Sequence, residues 1–200
     1  MRINLLRHGE CLDQAWLRGR VNSELSPLGW QKMQHQLELI RPAQVLISST
    51  AKRCALFSQQ QYDQAWSEEL VMEHAWQEKD FGVFDGLPFA SVQQHYPQAL
   101  AYYLDNPYEH DIPQSESFKV FQQRIDQAWS DLIQKNYESV LLVTHSGPMR
   151  LVLQKIMGFA NANLFQFELD YAARITIEVI PTDTTPFCKL VEIVQAPRQL

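Results

Sequence analysis

Two histidines stand in matching surroundings, one in Arg7-His8-Gly9-Glu10 and one in Thr144-His145-Ser146-Gly147-Pro148. Each follows a short apolar run, Ile3 to Leu6 and Val140 to Val143. An arginine, an imidazole and a glycine at one bend suit a phosphate, because glycine lets backbone approach closely. Pro148 can open a helix, and the free N–H groups of a helix start favour an anion. Arg53, in Ser49-Thr50-Ala51-Lys52-Arg53-Cys54, follows a third run from Val45 to Ile47 and offers a planar fork to a dianion. Taken singly, each has a plainer reading: a lone histidine is usually a satisfied hydrogen-bond partner, and an arginine in a first helical turn is usually solvated. Their shared position after strand-like runs favours convergence. A proton donor would come from the stretch Trp76 to Gly86, where Glu78, Asp80 and Asp85 lie among aromatic residues and two glycines. A carboxyl group among apolar rings can act as a general acid. Spacing alone does not choose among the three.

The elements that must position these groups can be read from hydrophobic period. The three apolar runs are short enough for buried strands, and each leads into a helical pattern. Ser26-Pro27 starts one helix with proline at its first position; Trp30, Met33, Leu37 and Ile40 follow along one face, and Pro42 stops it. From about Ser117 to Lys135 a second face carries Phe118, Phe121, Ile125, Trp129 and Leu132. Such alternation predicts an α/β fold, a three-layer α/β/α sandwich around a mainly parallel sheet, with ligands beyond the carboxyl ends of the strands. Ile175, Ile177 and Val179, then Phe187 to Val194, read as an antiparallel pair added to that sheet. Between about residues 86 and 115 the period is poor and Tyr96, Tyr102, Tyr103 and Tyr108 crowd around prolines, which predicts a small inserted cap within a single domain spanning residues 1–200.

Composition narrows the chemistry. Seventeen Lys+Arg against 23 Asp+Glu give a net charge of -6, so a general electrostatic grip on nucleic acid or anionic lipid is not expected, and an anionic substrate must be held by a local group of cations. Cys11, Cys54 and Cys188 have no zinc spacing and suit a reducing, cytoplasmic setting. His35, His74, His95 and His110 lack ligand spacing too. Neither a signal peptide nor a membrane span is expected.

The order of motifs along the chain resembles the histidine phosphatase superfamily, also called phosphoglycerate mutase-like. The resemblance runs through Arg7-His8-Gly9-Glu10, Leu25-Ser26-Pro27-Leu28-Gly29, Ser49 with Arg53, Glu78 with Phe81-Gly82 and Asp85-Gly86, Glu116-Ser117-Phe118 with Arg124, and Thr144-His145-Ser146-Gly147. It implies a phosphomonoesterase in which His8 becomes phosphorylated, Arg7, Arg53 and His145 hold the phosphoryl oxygens, and Glu78 protonates the leaving oxygen. It implies neither a metal nor a cofactor, since Arg and His supply the positive charge. The Glu116-Ser117-Phe118 helix start and the Gly158 to Ile177 segment are most similar to the α-ribazole phosphatases of cobalamin biosynthesis, which implies a small-molecule phosphate monoester as substrate.

The chain departs from the family pattern where substrates are held. Cys11 stands where Thr is usual, Gln14 is the nearest amide to an expected Asn, Ser115 and Ser146 replace glycines, and Phe57 replaces a frequent Thr. Gln14, Arg18, Gly19, Arg20, Ser146 and Gly147 are the candidate substrate contacts. Trp16 and the cap tyrosines offer flat faces to a base, or simply pack. Two alternatives follow: a mutase or broad-specificity phosphatase on the same nucleophile, and a phospho-ligand binding module that has lost catalysis.

Overall fold

The computed structural model describes residues 1–197. Its centre is a six-stranded sheet in the order β3-β2-β4-β1-β5-β6. Strands β1 (Arg2–Arg7), β2 (Ala43–Ser48), β3 (Ser67–Met72) and β4 (Ser139–Thr144) run parallel, while β5 (Arg174–Ile180) lies antiparallel to β1 and β6 (Phe187–Val194) antiparallel to β5. The C-terminal antiparallel pair is therefore where the sequence places it.

Alternation along the inner strands explains the layers. Ile3, Leu5, Val140 and Leu142 face one side, where α5 (Phe118–Ile133) and α6 (Ser146–Met157) cover them with Phe121, Ile125, Trp129, Met149 and Val152. Leu6, Leu141 and Val143 face the other side, under Met33 and Leu37 of α1 (Pro27–Glu38) and Cys54 and Phe57 of α2 (Lys52–Asp63). A strand buried on both faces needs a continuous apolar run, which is why these strands were legible. Each fully buried Leu, Ile or Val contributes about 1.5–3 kcal/mol by leaving water.

The helix starts follow their capping residues. Ser26 Oγ accepts from Gly29 N at 3.0 Å with Pro27 in the first turn, and Ser117 Oγ accepts from Val120 N at 3.2 Å. Helix α1 ends at Glu38, short of Pro42, with Leu39 as its cap, so Ile40 lies beyond the helix. The residue before a proline is pushed out of helical backbone, and β2 must start at Ala43, leaving no room for another turn. Strand β3 was not expected. It is an edge strand, largely exposed along Ser-Glu-Glu-Leu-Val-Met, and so lacks the apolar run that marks its neighbours.

Between residues 86 and 115 stand two short helices, α3 (Phe89–His95) and α4 (Pro97–Asp105). Phe84, Val92, Leu100 and Ile112 form a third apolar cluster there, joined by Trp16, Tyr96 and Tyr103. Helices of about two turns carry too few apolar positions to show a clear period. Among the described residues, no helix is long and apolar enough to cross a membrane.

Candidate active site

Parallel pairing puts three strand ends side by side. Arg7 of β1 stands opposite Thr144 of β4, and Ser48 of β2 opposite Val143. His8 N donates to Thr144 O at 2.9 Å and Ser49 N to Val143 O at 2.9 Å, so the chain leaves all three strands in step. The rings of His8 and His145 consequently meet edge to face, their centroids 5.1 Å apart.

His8 is buried, and its Nδ1 lies 2.8 Å from Gly9 O. A carbonyl oxygen can only accept, so Nδ1 carries the hydrogen and Nε2 keeps its lone pair. Burial, then the charges of Arg53 and Arg7, hold His8 well below the usual histidine range. The ring is a neutral imidazole with its nucleophilic nitrogen free. His145 is fully buried and is likewise held well below that range, first by burial and then by Arg53. Its Nδ1 accepts from Arg53 Nε at 3.3 Å, which leaves the hydrogen on Nε2 to donate to Ser49 Oγ at 2.8 Å.

The cations have neutral partners. Arg53 is fully buried, and its remaining donors go to carbonyl oxygens of the preceding loop: Val21 O at 2.8 Å, Arg18 O at 2.7 Å and Gly19 O at 3.0 Å. Arg7 donates to Leu169 O and lies over the ring of Tyr171, with Cζ 4.1 Å from the centroid. Its Nε is buried and has no hydrogen-bond partner among the described residues. Two buried guanidinium groups that meet carbonyls and rings in place of carboxylates make a local excess of positive charge, as an anion site requires.

Among the three candidate carboxylates, geometry separates the roles. Glu78 reaches the cavity beside His8, where Oε1 accepts from Lys79 N and Oε2 from Gly147 N, both at 3.0 Å. A side chain at Gly147 would clash with that carboxylate. Asp85 instead accepts from the backbone N–H groups of Gly19, Arg20 and Val21, and so shapes the loop. Asp80 accepts from Gly82 N and lies 3.9 Å from Arg20. The segment bearing Glu78 has no strand or long helix to hold it. Arg124 grips it through Ala75 O and Gln77 O at 2.7 and 2.9 Å, while Glu116 pairs with Arg124 at 2.7 Å.

A cavity of about 90 Å³ opens between these groups, lined by Arg7, His8, Trp16, Leu17, Arg18, Glu78, Phe81, Ser146 and Tyr171. Larger hollows exist, one of about 530 Å³ between β3 and α5, but none of the converging groups lines it. Arg53 and His145 stand behind His8 and do not line the cavity. Of the candidate substrate contacts, Arg18 and Ser146 line it, and Gly19 and Gly147 act through backbone atoms. Gln14 is exposed and Arg20 faces Asp80 and Glu116, so neither reaches it. Gly9 is close to Gly29 of α1, so its missing side chain serves helix packing and not a ligand.

Sequence reasoning missed Tyr171, Asp13 and the part played by Ser49. Tyr171 precedes β5, whose pairing with β1 brings it beside His8 and Arg7. The signal available was an aromatic residue just before a strand, too common to single out. Tyr96 and Tyr103 pack on Phe84, and Trp16 packs edge-on against Phe89 while also lining the cavity. Burial pushes the Cys11 thiol up, which fits an incidental residue.

Comparison with known proteins agrees with this geometry. The family model of the histidine phosphatase superfamily (branch 1) matches residues 3–189. A protein of Hydrogenobacter thermophilus, provisionally assigned as a phosphoserine phosphatase, is 26% identical over 174 residues, 86% of each chain. The fold superposes on an Escherichia coli structure provisionally described as an α-ribazole-5'-phosphate phosphatase with a TM-score of 0.85 at 19% identity, covering 99% of this chain and 97% of that one. It also superposes on a mycobacterial glucosyl-3-phosphoglycerate phosphatase with a TM-score of 0.79 at 18% identity, covering 95% and 96%. Some matched relatives are longer, and the chain spans 48% or 34% of them. Strand ends that gather His8, His145, Arg7 and Arg53, together with a family match over nearly the whole sequence, establish that this chain belongs to the histidine phosphatase superfamily and is one of its phosphatases.

Proposed function

We propose that the protein hydrolyses a small phosphate monoester through a phosphohistidine on His8, and that α-ribazole 5'-phosphate, a nucleoside monophosphate, is the substrate class. The observation that carries this reading is a buried neutral imidazole with a free Nε2, facing a small cavity, with two arginines close by that have no carboxylate partner among the described residues.

In the first half-reaction, His8 Nε2 attacks phosphorus as the bond to the ester oxygen breaks, and Glu78 gives its proton to that oxygen. Arg7 supplies its unpartnered Nε to the phosphoryl oxygens. Arg53, held behind His8 by His145 and the loop carbonyls, adds its buried positive charge to the site. His145 steadies Arg53 through Nδ1. In the second half-reaction, Glu78 takes a proton from water, the water oxygen attacks phosphorus, and the bond to Nε2 breaks to release inorganic phosphate.

A leaving group that carries an aromatic base is favoured by the rim, where Trp16 and Phe81 line the cavity. The likeness to the E. coli structure supports the same choice. The sequence relative instead favours phosphoserine as the second reading. A panel of α-ribazole phosphate, phosphoserine, 3-phosphoglycerate and sugar phosphates decides: the highest kcat/KM on the nucleoside ester supports the first reading, and on phosphoserine the second. Conversion of 2- to 3-phosphoglycerate without phosphate release would replace both with a mutase, and tight binding of all esters without turnover would leave a binding module. Three free thiols support a reducing cytoplasmic location.

A further inference from the structure

Tyr171 touches more of the cavity's machinery than any single interaction requires. Its backbone is fixed by β1: Ala172 N donates to His8 O at 3.1 Å, and Arg7 N to Ala173 O at 2.9 Å. Its ring lies under the Arg7 guanidinium, 4.1 Å from Cζ, and tilts against His8 with centroids 5.6 Å apart. Its hydroxyl accepts from Arg18 Nη1 at 2.9 Å. Arg18 comes from a different place altogether, the loop after β1, where Asp13 holds it by Oδ1 to Nε and by its carbonyl to Nη2, both at 2.7 Å. The three bonds leave each terminal nitrogen of Arg18 one free N–H in a side chain that lines the cavity.

We infer that Tyr171 is a positioning residue with two separable parts: its ring braces Arg7, and its hydroxyl aims Arg18 at the phosphoryl group, making Arg18 a third cation of the site. This rests on the phosphohistidine reading above. A free arginine side chain loses rotamer freedom when a ligand orders it. Holding it in place before substrate arrives removes that cost from binding. The tyrosine thus turns a flexible loop arginine into part of a fixed cradle, and couples the loop to the end of β5.

The test is a double-mutant cycle of Tyr171→Phe and Arg18→Ala, with Tyr171→Ala alongside, on hydrolysis of p-nitrophenyl phosphate and inhibition by inorganic phosphate. Tyr171→Phe keeps the ring and loses the bond to Arg18, so KM and the phosphate inhibition constant should rise about ten-fold, well beyond any fall in kcat. The double variant should be no worse than Arg18→Ala, because both remove the same interaction. Tyr171→Ala should also lower kcat, as Arg7 loses its brace. Thermal unfolding reports whether each variant is folded; should Tyr171→Ala fail, the cycle with phenylalanine stands alone. Additive effects in the cycle, or a Tyr171→Phe enzyme with unchanged KM and phosphate inhibition, would overturn the inference. A His8→Ala control separates the two claims: turnover surviving there removes the phosphohistidine reading itself, whatever Tyr171 does.

Discussion

The cavity has two walls built by different means. One is His8, backed by His145 and Ser49; it is set by hydrogen-bonded register between β1, β4 and β2, and each group leaves its strand within one residue of the pairing. The wall of Arg18, Glu78, Phe81 and Tyr171 is irregular backbone, held by side chains that reach far along the sequence: Asp85 to the Gly19–Val21 loop, Arg124 to the Glu78 segment, and Tyr171 to Arg18. Arg53 joins the two, giving Nε to His145 and its other nitrogens to loop carbonyls. Phosphoryl transfer to His8 thus rests on strand register, while Arg18 and Glu78 depend on loop contacts. Changes on the first wall, and at Glu78 on the second, should act on kcat; other changes on the second should act mainly on KM.

The largest effect should follow loss of the bridge between the walls. Arg53→Met keeps much of the volume but removes the buried charge and the loop contacts, and steady-state turnover should fall about a thousand-fold, the scale of losing electrostatic stabilisation of the transition state. A rise in KM alone, with kcat unchanged, would mean that Arg53 only organises the loop. Next comes Gly147→Ala, which puts a methyl group against the Glu78 carboxylate. Displacing a reacting group by about 1 Å costs on the order of a hundred-fold, so kcat should drop by that much while phosphate still binds. Unchanged kcat would show that Glu78 has no catalytic part. On the loop wall, Asp85→Asn weakens the grip on three successive N–H groups, and KM should rise about ten-fold with kcat little changed.

The smallest effect is on stability. His8 and His145 are both held well below the usual histidine range, mainly by burial. As pH falls below about 6.5 the unfolded chain takes up protons that the folded chain resists. Stability should therefore be full above that pH and decline below it, by about 1.4 kcal/mol per pH unit for each histidine, until the lowered folded values are reached. Urea unfolding of the parent and of His145→Asn between pH 7 and 5 measures it; equal slopes would mean that His145 takes no part.

The same contrast explains what the sequence makes legible. His8, His145 and Arg53 could be located because strands buried on both faces advertise themselves, and parallel register then does the positioning. The packing of α5 was readable because Phe118 to Leu132 keeps one period for four turns. Glu78 could not be separated from Asp85 on physical grounds, since the difference is made by which loop reaches which carboxylate across more than sixty residues. Arg20 and Gln14 were expected near the substrate for the same reason: their neighbours on the loop are, but the turn imposed by Asp85 sends Arg20 toward Asp80 and Glu116. Tyr171 was invisible because its place depends on an antiparallel pairing of β5 with β1, and nothing local to Asp170-Tyr171-Ala172 encodes that partner.

The central claim is that His8 carries the phosphoryl group, and trapping it tests this most directly. Purified enzyme mixed with a ³²P-labelled monoester and quenched in alkali within milliseconds should hold label that is stable to base, released by acid, and mapped to His8, with none on His8→Ala. Full turnover by His8→Ala, or label confined to a different residue, would contradict the account.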